Sequence, residues 1–108
     1  MIAVIFQVTL NDSANNDYFE IAKQLKEHLV KIEGFISVER FQSINEDNRY
    51  LSLSFWKDED SVKQWRNHHL HLDAQETGIQ QLFSDYRICV AHIDRDYTMN
   101  PAINEKGE

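Results

Sequence analysis

The sequence predicts an α+β fold, a four-stranded antiparallel sheet with helices on one face, and three observations carry that expectation. Strand-like and helix-like periodicities alternate along the chain as βα-ββ-α(α)-β. The second and third strand-like runs are separated only by a polar turn cluster of hairpin length. The strands are also apolar on both parities, which a sheet half open to water would avoid. With 108 residues, 42% of them hydrophobic, the chain holds enough material for one core and too little for two.

Residues 2 to 10 place Ile2, Val4, Phe6, Val8 and Leu10 on one parity, with β-branched residues throughout, and predict the first strand. Asn11, Asp12 and Ser13 supply N-cap chemistry. Tyr18, Ile21, Ala22, Leu25, Leu29 and Ile32 then recur on one helical face, so a helix is expected from about residue 14 to about residue 31, with Gly34 ending it. Residues 35 to 44 and 50 to 56 are the hairpin strands, joined through Asn45-Glu46-Asp47-Asn48-Arg49. Asp58, Glu59, Asp60 and Ser61 open a brief second helix whose apolar face is Val62 and Trp65. Leu70, Ala74, Ile79, Leu82 and Phe83 suggest a further helix ending before Ser84. Strand character returns from Tyr86 to Asp96 through Ile88, Val90 and Ile93, and the polar stretch from residue 98 to residue 108 is expected as a C-terminal extension of a domain over 1–97.

This order matches the ferredoxin-like plan. Two helical layers cover one sheet face, yet Ala3 and Ile5 oppose Val4 and Phe6 in the first strand, and Cys89 and Ala91 oppose Ile88 and Val90 in the last. The economical cover for the second face is another copy of the same sheet, so a homodimer is expected.

Eighteen acidic residues against eleven Lys plus Arg give a net charge of −7, which disfavours nucleic acid and anionic membrane surfaces as partners. The lone Cys89 sits between Ile88 and Val90 in a strand, the setting of an inert buried thiol, and forms no internal disulfide. No basic leader pattern and no apolar run of the ~18 residues of a membrane span is present, so the expected compartment is the cytoplasm. The absence of a Gly-rich phosphate loop, a G-x-S-x-G and a C-x-x-C removes nucleotide-dependent, triad-hydrolase and dithiol readings.

Gly34-Phe35-Ile36-Ser37-Val38-Glu39-Arg40-Phe41, then residues 50 to 56 (Tyr-Leu-Ser-Leu-Ser-Phe-Trp), then Trp65-Arg66, His71-x-x-Ala74-Gln75 and Asp85-Tyr86-Arg87-Ile88, together resemble the antibiotic biosynthesis monooxygenase domain family over roughly residues 1 to 97. The resemblance implies a dimeric α+β barrel: two ferredoxin-like subunits packed sheet to sheet, each with a pocket between sheet and helices. It also implies a small oxygenase acting on an aromatic, phenol- or quinol-like substrate with O₂ and no flavin, haem or metal. Relatives that cleave haem, and others with no known reaction, belong to the same group.

Oxygen can react with a phenolate without a cofactor when an apolar cage excludes water, one group manages a proton, and a cation holds the anion. Phe6, Phe55, Trp56, Trp65, Leu82 and Phe83 are the candidate walls, His71 the candidate proton carrier, and Arg66 or Arg87 the candidate anion holder. Each has a plainer reading: Trp65 as a core anchor, His71 as a polar helix residue, Arg87 as an ion-pair partner of Asp85. His68, His69 and His71 form an H-H-x-H cluster, but only Asp73 accompanies them, and no metal site is expected. Two alternatives stand beside the oxygenase. One is haem binding or degradation, which the resemblance ties to an Asn in the first strand where this chain has Gln7. The other is a non-catalytic dimer that binds a hydrophobic metabolite.

Overall fold

A computed structural model describes residues 1–11, 15–68 and 82–99. The elements run β1 (Ile2–Leu10), α1 (Asn15–Leu29), β2 (Phe35–Gln42), β3 (Arg49–Trp56), α2 (Glu59–Arg66) and β4 (Phe83–His92). All strand pairs are antiparallel and the sheet order is β2-β3-β1-β4, the ferredoxin-like order, with β1 and β3 central. The expected helix through residues 70 to 83 and the tail beyond residue 99 fall outside the described residues, apart from Leu82 and Phe83.

Register sorts the side chains. Ile2 opposes Trp56 and His92, Val4 opposes Ser54 and Val90, Phe6 opposes Ser52 and Ile88, and Val8 opposes Tyr50 and Tyr86. Because alternate residues point to opposite faces, these positions share one side of the sheet. Both helices bury against that side. Tyr18 of α1 joins Val8, Leu10, Tyr50 and Leu82 in one buried cluster, and Leu29 of α1 joins Ile2 and Trp56 in a second, flanked by Val62 and Trp65 of α2. Trp56, Ile2, Leu10 and Val8 are almost wholly removed from water, each contributing about 1.5–3 kcal/mol or more of transfer free energy. The indole N–H of buried Trp56 donates to Ser54 Oγ at 2.9 Å, which removes an unpaired donor from the core.

The chain-end signals act close to where the residues place them. α1 stops at Leu29, two residues short of the expected end, and leads through turns to Gly34 at φ +94°. A Cβ on Gly34 would overlap the hydroxyl of Ser61 at the start of α2, so this glycine both reverses the chain and lets α2 approach. Asp58 caps α2, accepting from Ser61 N–H at 2.9 Å and from Ser61 Oγ at 2.7 Å. Those two donors, the backbone one foremost, hold the Asp58 carboxyl below its ordinary value.

Three boundaries differ from the periodicity. β2 ends at Gln42 rather than Ile44, because Ser43 Oγ accepts from the N–H groups of Asn45 and Glu46 and turns the chain. β4 ends at His92 because β1 offers no partner beyond Met1, whose carbonyl receives the last bond from Ile93 N–H. Phe83, expected at the end of a helix, instead opens β4 and pairs with Leu10 across a bulge that sets Ser84 aside.

Gly34→Ala should destabilise the domain by about 2 kcal/mol or more, from the left-handed φ and the overlap with Ser61, read as a lower urea midpoint with unchanged slope. Asp58 has a depressed folded-state pKa, so its contribution is present above the ordinary carboxylate value and fades as pH falls through the folded one. The Tm difference between the wild type and Asp58→Ala should therefore be full at pH 7 and shrink as the pH is taken below about 3.8.

Candidate functional site

The two buried clusters leave a strip between them on the helix side of the sheet. Across this strip the sheet presents Val38 and Arg40 from β2, Ser52 and Ser54 from β3, Val4 and Phe6 from β1, and Ile88 and Val90 from β4. Its centre, on β3, carries only two serines where both flanking rows carry Tyr50 or Trp56. Leu25, on the same α1 stripe as Ile21 and Leu29, is half-buried above it. Ile88 and Val90 lie on the helix-covered side yet are 44% and 51% exposed, as is Tyr86 at 39%. Apolar residues on the covered side of a sheet normally disappear into the core, so their exposure marks a part of that side that the described residues do not fill.

Aromatic side chains wall the loop-side end of the strip. Phe6 and Phe83 lie 5.7 Å apart between ring centroids, Phe83 meets Tyr18 edge-on at 5.9 Å, and Tyr86 completes the group at 6.2 Å from both Phe6 and Phe83. The opposite end is Trp65, packed on the Ile2–Leu29–Trp56 cluster and stacked on His68 at 5.7 Å. Among the expected site residues the structure thus brings Phe6, Phe83 and Trp65 to the helix side, with Trp65 also serving the anchoring role of its plainer reading.

Two expected residues lie elsewhere. Phe55 pairs with Ala3 and Ser37, and Arg87 pairs with Gln7, both on the face turned away from the helices, one position out of phase with Trp56 and Ile88. Arg66 is exposed in the last turn of α2, among the residues favoured at a helix C-terminus. His71 lies outside the described residues, as do His69 and Asp73. Gln7, the first-strand residue on which a haem contact would rest, sits on the same far face as Arg87 and away from the strip.

A cation that the described residues bring to the strip was not among the candidates. Arg40 stands in register with Ser52 on the helix side, its guanidinium carbon 5.3 Å from the Tyr18 ring centroid and 6.0 Å from that of Phe19, with Nε donating to Tyr18 Oη at 3.4 Å. Simple alternation from Phe35 would put Arg40 on the other face. A bulge between Phe35 and Ser37, which sets Ile36 aside, shifts the phase and turns Arg40 to the helices. A second recess, lined by Thr9, Glu46, Asp47, Asn48, Arg49 and Asp85 at the loop end of the sheet, is polar and shallow, and its Arg49 is already paired with Glu46 at 2.8 Å.

This fold has counterparts among known proteins. The chain matches the antibiotic biosynthesis monooxygenase family over residues 1–77 and belongs to that family. Jasmonate monooxygenase ABM of Pyricularia oryzae is 38% identical over 100 residues, which cover 93% of this chain and 46% of that protein, so the chain spans a little under half the length of that relative. The uncharacterized protein YqjZ of Bacillus subtilis is 30% identical over 103 residues, covering 95% of this chain and 88% of its own. The crystal structure of a variant of SnoaB, a cofactor-independent oxygenase from Streptomyces nogalater, superimposes with a TM-score of 0.75 over 88% of this chain and 94% of that one, at 13% identity, a likeness of fold.

Proposed function

We propose that this chain is a cofactor-independent monooxygenase for a small phenol- or quinol-like substrate bound in the helix-side strip. The observation that carries the reading is the exposure of Ile88 and Val90 on the covered side of the sheet, between an aromatic wall and Trp65, in a chain of this family. A flat substrate laid along the row Ser52–Phe6–Ile88 would cover Ile88 and lie against Phe6 and Phe83. His71 accepts the substrate proton in this scheme, and Trp65 bounds the ring.

The chemistry balances without an outside reductant for a ring-activated methylene. Loss of a proton leaves an anion that passes one electron to O₂, and the resulting radical pair joins as a C–O bond to give, with the proton returned, a hydroperoxide. Loss of water then leaves a carbonyl, so R₂CH₂ + O₂ becomes R₂C=O + H₂O with all four electrons supplied by carbon. The protein's part is to exclude water, hold the anion and carry one proton.

The sheet face away from the helices carries Ala3, Ile5, Leu51, Leu53, Phe55 and Phe41, and in our reading a second copy covers it, closing a barrel around both sheets. Continuity of that apolar set across β1, β3 and β2, broken by few charges, suits a self-complementary partner.

Oxygen uptake with a panel of quinols and hydroxylated anthrones is the direct test. Turnover should fall about a hundredfold or more in His71→Ala and should also be lost in Ser52→Leu, which fills the strip, with the Tm of each within a few degrees of wild type. No uptake with any of these compounds, with a saturating Soret band on hemin titration, overturns the reading. The chain should sediment as a dimer at micromolar concentration and Leu53→Asp should give a monomer; a monomeric wild type removes the barrel.

A further inference from the structure

Arg40 is a charged group of the strip with no anionic partner among the described residues. Among the described residues no carboxylate lies within ion-pair distance of it, although acidic residues outnumber Lys plus Arg by eighteen to eleven in the chain. Its fork is nonetheless held. The rings of Tyr18 and Phe19 flank the guanidinium, and Tyr18 Oη accepts from Nε–H, while Tyr18 itself is 94% removed from water and braced by Tyr50 and Phe83. A guanidinium fixed through its face and its Nε presents its two terminal nitrogens as a pair of parallel donors, the complement of a carboxylate.

We infer that Arg40 is the specificity-determining residue of the helix-side site, and that the substrate is an aromatic acid whose carboxylate docks on the Arg40 fork while its ring lies over Ser52 toward Phe6. This rests on the monooxygenase site proposed above and assigns it a substrate class. The spacing suits such a molecule. Arg40, Ser52 and Phe6 occupy neighbouring strands in one row, so a ring over Ser52 lies between the Arg40 strand and Phe6, and the fork, 5.3 Å from the Tyr18 ring, stands at the edge of the aromatic wall. Partial exposure keeps the cation hydrated when the site is empty and lets the bound carboxylate enter from the β2 edge.

Calorimetric titration with 2-naphthoate and with its methyl ester tests the assignment. The wild type should bind the acid about tenfold or more tightly than the ester, with the preference shrinking as salt rises. Arg40→Gln should lose that preference while its affinity for the ester stays within about twofold, Arg40→Lys should retain part of it, and Lys23→Gln on the outer surface of α1 should leave it unchanged. Ester binding in the wild type with no preference for the acid, or a preference that survives Arg40→Gln, overturns the role of Arg40 and leaves the apolar site standing. Binding of neither compound, or binding that Ser52→Leu does not disturb, overturns the site and the Arg40 assignment together.

Discussion

Everything in this structure depends on the register of β1 between β3 and β4. Because side chains alternate with a period of two, the pairing of Ile2 with Trp56 and His92 decides at once which residues meet the helices and which face outward. A slip of β1 by one residue would put Ala3, Ile5, Gln7 and Thr9 against the helices in place of Ile2, Val4, Phe6 and Val8. The buried apolar side chains at both ends of β1 resist such a slip, since Ile2, Val8 and Leu10 would all move into solvent together.

Within that constraint the fold places its bulk at two ends and its smallest residues in the middle. Ser52 and Ser54 share β3 with Tyr50 and Trp56, which anchor the two clusters on either side of them. Ser54 is not simply filler, because its hydroxyl satisfies the Trp56 indole. Bulk is thereby divided along one strand, with anchoring side chains at its ends and small ones at its centre.

The two bulges do the finer work. Setting Ile36 aside turns Arg40 toward Tyr18, and setting Ser84 aside brings Phe83 to the side of Phe6 while Arg87 goes to the other. Each bulge costs one ladder pairing and re-aims a side chain onto the helix side of the sheet, and each lies next to the start of its strand. Gly34, immediately before β2, supplies the positive φ from which the shifted phase begins.

The sequence by itself determined the element order, the antiparallel hairpin, the Asp58 cap, the Gly34 stop and the family, because these rest on local signals: periodicity within a strand, capping chemistry within four residues, turn residues between runs. Phe6, Phe83 and Trp65 were legible as aromatics, and the structure places all three on the helix side of the sheet. The tertiary structure alone decided that Phe55 and Arg87 lie on the far face and that Arg40, in an unremarkable run of Val38, Glu39 and Phe41, reaches the aromatic wall. The reason is physical: a bulge changes the phase of every residue after it and is set by pairing with a distant strand, so alternation read along one strand cannot reveal it.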